Sequence, residues 1–277
     1  MTRKDFLKLS GLLLTSPLFA QENKKDVKLT PSLFISHGSP MNIIEDNNFT
    51  KSLKKVAKTF DKPKAIIVIS AHWYTNKTLV SNLEEQETIY DFYGFPDELY
   101  NIVYEPDGSP SLANQVLNKF ENASSDDRGL DHGAWSVLHH MYPKQDIPTF
   151  QISINNNLTY KQHFELGSIL KKFRENGVLI IGSGSVTHNL RLTHPSSNID
   201  EWAVSFDNYI KESFSSQNFQ NIIDAQQHPL FKIAHPFDDH FIPLLYSAGT
   251  VNSFDKIEHF HEEIVSTNLT MRCIKIG

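Results

Sequence analysis

The chain has 277 residues, room for one large α/β domain or two small ones, and its 39% hydrophobic and 21% charged residues suit a soluble globular protein rather than a disordered or fibrous one. A net charge of -6, with no basic run interleaved with aromatics, excludes the electrostatic footprint of a nucleic-acid binder. The lone cysteine, Cys273, excludes an internal disulfide and a thiolate metal cluster, so with 13 histidines any metal site must be built from nitrogen and oxygen ligands.

Residues 1–20 have the order of an export signal: Arg3 and Lys4, then an apolar stretch from Leu9, then the small residue Ala20. The stretch is too short to span a bilayer. Thr2 to Lys8 is similar to the twin-arginine export motif, with Lys4 where the second Arg would stand. This places the protein in the periplasm or beyond, with the mature chain starting near Gln21 and its folded domain, 27–277, near Val27. An ordinary amphipathic N-terminal helix, and hence a cytoplasmic protein, is the alternative.

The mature chain opens on Phe34-Ile-Ser-His37-Gly-Ser-Pro40, a short apolar run ending in Ser and then a His. Phe49, Leu53, Val56 and Phe60 then recur at helical spacing and return the chain to a second strand, 65–70, which leads into Ser70-Ala-His72-Trp73. Strand, helix, strand is the parallel crossover unit. An aromatic loop follows, Tyr90-Asp-Phe-Tyr-Gly-Phe-Pro96, broken by Gly and Pro, either a surface loop pinned by its rings or a wall over an aromatic substrate. Ser109-Pro110 caps a helix through Leu112, Val116 and Phe120, and Asp131-His132-Gly-Ala-Trp135 forms a Gly-bounded loop before a helix through Met141. Next come a strand over 147–154, a helix over 163–176 ended by Gly177, a strand over 178–181 leading through Gly182-Ser-Gly-Ser to His188, and a helix through Trp202, Phe206 and Tyr209. The run His235-Pro-Phe-Asp-Asp-His240 and terminal strands 257–261 and 270–276 complete the chain. With no tandem repeat and no internal linker, the expected fold is α/β, a single domain with a mostly parallel central sheet flanked by helices.

Open α/β sheets bind ligands outside the carboxyl ends of their strands, and His37, His72 and His188 all leave strands there. His132 and His240 join them because each sits in a loop next to an apolar element. His139, His140, His163, His194, His228, His259 and His261 lie on helix faces, in polar turns or on a terminal strand, where a histidine is ordinarily a satisfied polar group; His235, before Pro236, is intermediate. Several imidazoles at one sheet edge suit Zn2+ or Fe2+, and Asp238 or Asp239 could add a carboxylate. Spacing alone does not choose the third ligand. On these residues alone the chain is a metal-dependent enzyme of unspecified reaction, or else a non-catalytic His-rich domain.

Ile35-Ser-His37-Gly-Ser-Pro-Met-Asn42, Ser70-Ala-His-Trp73, Asp131-His-Gly-Ala-Trp135, Ser183-Gly-Ser-Val-Thr-His-Asn-Leu190 and Asp239-His-Phe-Ile-Pro-Leu-Leu245 together resemble, in order, the motifs of the 4,5-DOPA branch of the class III (LigB-type) extradiol dioxygenases. The resemblance runs from about Leu33 to the C-terminus. It implies a divalent metal, Zn2+ or Fe2+, at His37, His72 and His240, with His188 as a further ligand or as general base and His132 as the group that hydrogen-bonds oxygen and returns a proton. It also implies a small-molecule catechol and O2 as reactants, the ring opening to a semialdehyde. A zinc hydrolase using the same imidazoles, and a non-catalytic binding protein of the Memo type, are the alternative functions.

Overall fold

Val68 and its neighbours show how the fold is built. In the computed structural model, which describes residues 29–194, 196 and 198–277, strand β2 (Ala65–Thr75) buries both faces. Ile66 and Val68 pack on one side with α1 (Asn48–Val56) and α3 (His132–Met141). Ile67 and Ile69 pack on the other with α4 (Tyr160–Leu170) and α8 (Ile242–Gly249). A strand covered by helices on both faces must be apolar at every position, hence the unbroken run instead of alternation. Each such side chain contributes about 1.5–3 kcal/mol by burial.

The same logic holds for the apolar runs of β1 (Ser32–Ser36) and β6 (Val178–Gly184), whereas β5 (Thr149–Asn155) alternates the core residues Phe150, Ile152 and Ile154 with buried Thr149, Gln151 and Ser153. With β3 (Thr78–Ser81), β4 (Ala123–Asp126), β7 (Ile257–His261) and β10 (Cys273–Ile276) they form an eight-stranded sheet of order β4-β3-β5-β2-β6-β1-β10-β7. The central pairings, β5 with β2, β2 with β6 and β6 with β1, are parallel, as is β3 with β4. Antiparallel pairs join β3 to β5 and carry the other edge through β10 to β7. The α/β expectation of one mostly parallel sheet is met. A two-stranded ribbon, β8 (Ile264–Val265) with β9 (Leu269–Thr270), lies apart from it. The chain between β6 and β7 adds α5 (Glu201–Ser215), α6 (Phe219–Ile223) and α7 (Phe231–Ala234), and α2 (Pro110–Leu117) packs near β3. Among the described residues no helix is long and apolar enough to cross a membrane. The export signal and the start of the domain near Val27 lie outside the described residues.

Local caps follow the sequence in most places. Asn47 and Thr159 form reciprocal capping boxes with Thr50 and Gln162, so α4 begins three residues before His163. Its last turn tightens into a 3-10 helix over 171–176, closed by Gly177 at φ +88°. Ser109 precedes α2, but its hydroxyl makes no capping bond. At the amino end of the sheet the buried Arg174 guanidinium donates to both Asp255 oxygens, at 2.6 and 3.0 Å, and to the carbonyls of Thr30, Thr250 and Ile276. That clamp ties both ends of the domain together on the side away from the histidines.

Two expectations about strand ends need correction. His72 does not follow its strand but lies inside it: pairing with β6 stops at Ser70, and Ile69 and Tyr74 pair with β5 residues only two apart, so residues 70–73 bulge out and aim the imidazole off the ladder. His132 is not in a loop. It is the first residue of α3, whose N-cap is Asp131.

Candidate metal centre

Strand β1 delivers His37, the β2 bulge His72, the amino end of α3 His132, the segment after β6 His188, and the turn before α8 His240. All five line one cavity of about 460 Å³. Ring centroids stand 5.0 Å apart for His37 and His72, 5.3 Å for His37 and His240, 5.0 Å for His72 and His240, and 4.0 Å for His72 and His132. His188 stacks flat on His240, at 3.5 Å and 5°. Among the described residues, His37, His72 and His132 form a group whose ligand atoms all lie within 4.8 Å of one another.

Glycines allow this convergence. A Cβ on Gly184, the last residue of β6, would stand 2.2 Å from the carbonyl oxygen of His240. One on Gly133 would stand 2.4 Å from Ser70 Oγ and 3.0 Å from the His72 ring. Only hydrogen fits at either place.

Hydrogen bonds set which ring nitrogen faces the cavity. Ser183 Oγ donates to the Gly133 carbonyl at 2.5 Å, leaving it only lone pairs for His37 Nδ1 at 2.9 Å. His37 Nε2 therefore carries a lone pair. His72 Nδ1 lies 3.3 Å from Asp91 Oδ2, and His132 Nδ1 lies 2.9 Å from Asp91 Oδ1, which also accepts the His132 backbone N–H at 2.9 Å. The Asp91 side chain is 18% exposed, so the carboxylate points inward although its backbone faces solvent. Asp239 Oδ1 accepts the His240 backbone N–H at 2.8 Å; it stands 3.1 Å from His240 Nδ1 without hydrogen-bond geometry, and that nitrogen has no partner.

Electrostatics favour the neutral form of His37, His72, His188 and His240. Burial, followed by the neighbouring imidazoles, drives His37 and His240 well below 6.5; burial and then His132 lower His72, against the opposing Asp91. His188 is lowered by burial, partly offset by Asp239. Burial would raise Asp91, but the hydrogen bonds from His132, with His132 and His72 close by, outweigh it and hold the carboxylate low. Asp131 goes the other way, pushed up to about 6 by burial and the charge of Asp91 against the Ser70 hydrogen bond.

These features fit a metal ion. Nε2 of His37 and Nε2 of His72 face one another at 3.1 Å. That distance suits a hydrogen bond if one ring is Nε2–H, or one shared cation if both carry lone pairs: two bonds of about 2.1 Å from one ion, at 90 to 109°, span about 3.0 to 3.4 Å. The orphaned His240 Nδ1 also needs a partner.

Phe92, Tyr93, Phe95, Leu190 and Met271 wall the cavity. The 90–96 segment is thus a wall, pinned by Tyr90 Oη on the Ile102 carbonyl, by Trp135 Nε1 on the Ile89 carbonyl and by Phe92 standing edge-on to His132 at 5.6 Å. The remaining histidines lie elsewhere. His140, His163 and His235 are spent on the Asn42 carbonyl, Tyr246 Oη and the Val186 carbonyl. Asp238 accepts the hydroxyls of Tyr74 and Tyr160, and neither it nor Asp239 lines the cavity. Sequence reasoning missed Asp91, Ser183 and Ser70. Asp91 had a visible signal, as the acid at the head of the aromatic segment; the two serines had none beyond standing near strand ends.

A parallel sheet with neutral imidazoles gathered at its carboxyl edge defines a metal-dependent enzyme of the α/β class. Residues 31–273 match the family described as the catalytic LigB subunit of aromatic ring-opening dioxygenase, and the chain belongs to that family. It is 38% identical over 261 residues to the 4,5-DOPA dioxygenase extradiol of Escherichia coli (strain K12), covering 89% of this chain and 94% of that one. Against the protein of the same name from Beta vulgaris it is 40% identical over 241 residues, covering 83% and 90%. A crystal structure of an uncharacterized protein from Escherichia coli K12 superposes with a TM-score of 0.80 at 35% identity, covering 90% of this chain and all of that one.

Proposed function

We propose that the protein is an extradiol dioxygenase that opens the ring of a catechol, DOPA-like in size, with O2, using a metal held by His37, His72 and His240. The observation that carries this is the facing pair of Nε2 atoms, 3.1 Å apart, under an aromatic wall. A vicinal diol can chelate a metal through both oxygens, which a simple phenol cannot. Bound Fe2+ would acidify the diol and pass electrons to O2, whereas Zn2+, which has no redox chemistry, would supply only the first.

The chain's own residues do the rest. Phe92 and Phe95 receive the substrate ring and exclude water. His188, neutral and lining the cavity, takes the second diol proton as general base, unless it serves as a fourth ligand. His132 returns a proton through Nε2 while Asp91 holds Nδ1. One observation favours a second assignment, in which His132 is the third ligand: its nitrogen is grouped with those of His37 and His72 within 4.8 Å.

The order of residues 1–20 supports export, with the active enzyme outside the cytoplasm. Intact mass of protein from the periplasmic fraction reads this directly: a chain starting near Gln21 is expected, and a full-length mass refutes it. For the reaction, metal analysis is followed by anaerobic Fe2+ loading and an aerobic assay with DOPA, 4-methylcatechol and phenol. A yellow semialdehyde from the catechols and none from phenol is expected. Bound metal without turnover of any catechol would favour the zinc hydrolase, and an intact fold that binds no metal would favour the binding protein.

A further inference from the structure

We propose that Asp91 is a positioning residue of this site, a single carboxylate that fixes His72 and His132 as Nδ1–H tautomers and ties both to the aromatic wall. The inference deepens the function proposed above, and rests on it only in assigning the freed Nε2 atoms to metal and oxygen chemistry.

Two donors of His132, Nδ1 and the backbone N–H, converge on Asp91 Oδ1, and Nδ1 of His72 stands 3.3 Å from Oδ2. An ionised carboxylate has no proton to give, so each facing Nδ1 must carry its own. A neutral ring held this way keeps its lone pair on Nε2. For His72 that lone pair is the one aimed at His37. His37 reaches the same tautomer by an independent route, through Ser183 and the Gly133 carbonyl. Asp131, the other acid next to His132, is spent on Ser70 Oγ at 2.6 Å and on capping α3, and orients neither ring.

Asp91 also belongs to the wall. The next residue, Phe92, packs on Phe95 at 5.5 Å and on His132 at 5.6 Å, so ring orientation and substrate wall are held by consecutive residues. A carboxylate behind a ligating histidine ordinarily contributes 10- to 100-fold in metal affinity.

Asp91→Asn is the informative variant because it keeps the shape and changes the donors. The amide oxygen is expected to stay with the two His132 donors, which turns the amide NH2 toward His72 Nδ1. Two donors cannot face each other, so His72 must move its proton to Nε2 and lose its lone pair in the cavity. Imidazole 15N NMR on metal-free protein should find His72 and His132 both as Nδ1–H in the wild type. In Asp91→Asn, His72 should become Nε2–H while His132 is unchanged. Metal affinity, measured by competition with a chelator, should weaken 10- to 100-fold, with Asp97→Asn on the same exposed segment as an unchanged control. An Nε2–H tautomer for either ring in the wild type would overturn the proposal, as would an Asp91→Asn protein with unaltered tautomers and affinity. If Asp91→Asn does not fold, the wild-type tautomers still decide. A wild type that shows both Nδ1–H tautomers but binds no metal would sustain the role of Asp91 and sink the metal-dependent function.

Discussion

Lowering the pH from 6.5 to 5.5 should destabilise the metal-free protein strongly, because several histidines are buried neutral. Burial pushes His163 down to about 4 and His235 down to about 4, and neither is a proposed ligand. Their unfolded value is near 6.5, so across this window the unfolded state takes up protons that the folded state refuses, and stability falls as pH falls. Integrating the linkage relation, each group removes about 1 kcal/mol over that unit, so the pair removes about 2 kcal/mol. His37, His72 and His240 act in the same direction. Asp131, raised to about 6, acts in reverse, binding a proton in the folded state and returning about 0.7 kcal/mol. The assay is urea denaturation of chelator-treated protein at the two pH values, with His163→Phe beside the wild type. The wild type should lose at least about 2 kcal/mol, and the variant about 1 kcal/mol less than the wild type. A pH-independent urea midpoint, or a variant with the wild-type slope, would refute the claim that burial keeps these rings neutral.

Ligand and proton-transfer roles should separate by mutation: His37→Ala, His72→Ala and His240→Ala should lower metal content and activity together. His132→Ala should keep the metal and lose turnover by about 10² to 10⁴, and loss of metal from it instead would make His132 the third ligand. His188→Ala distinguishes base from ligand in the same way, by whether inductively coupled plasma analysis finds the metal retained. Gly184→Ala, whose Cβ would stand 2.2 Å from the His240 carbonyl, should displace His240 and weaken metal binding; an unchanged chelator-competition curve would contradict the close approach. Asp255→Ala strands a buried guanidinium with only carbonyl partners and should cost about 3–5 kcal/mol in chemical denaturation while leaving metal affinity unchanged.

The fold was legible where burial is two-sided. Residues 65–69 and 178–181 are apolar at every position because helices cover both faces, and a continuous run between polar turns marks a parallel strand. It was not legible where pairing is short or burial one-sided. Strands β3 and β4 have four residues each, and β4 reads Ala-Ser-Ser-Asp, a turn composition made into a strand only by pairing with β3. Helix α8 hid for the opposite reason. It is buried on every side, so it has no polar stripe to give a helical period.

The histidines were legible because the sheet places strand ends in one row, and three chain segments that each end in an imidazole must then meet. What the sequence could not show is how those rings are oriented. His72 reaches the cavity by a bulge in which residues 71–73 pair with neither neighbouring strand, and no local pattern separates that from a strand that has ended. Asp91 lies 19 residues after His72 and 41 before His132, in a segment whose rings pull attention to packing. Ligand types can be counted along a chain, but a tautomer is fixed by whatever faces the second nitrogen. Here that is a carboxylate and a serine brought in from elsewhere in the fold. The same separation explains why an identical set of five histidines could serve a dioxygenase or a hydrolase: the imidazoles decide that a metal binds, while the groups behind them and the aromatic wall in front decide what it can do.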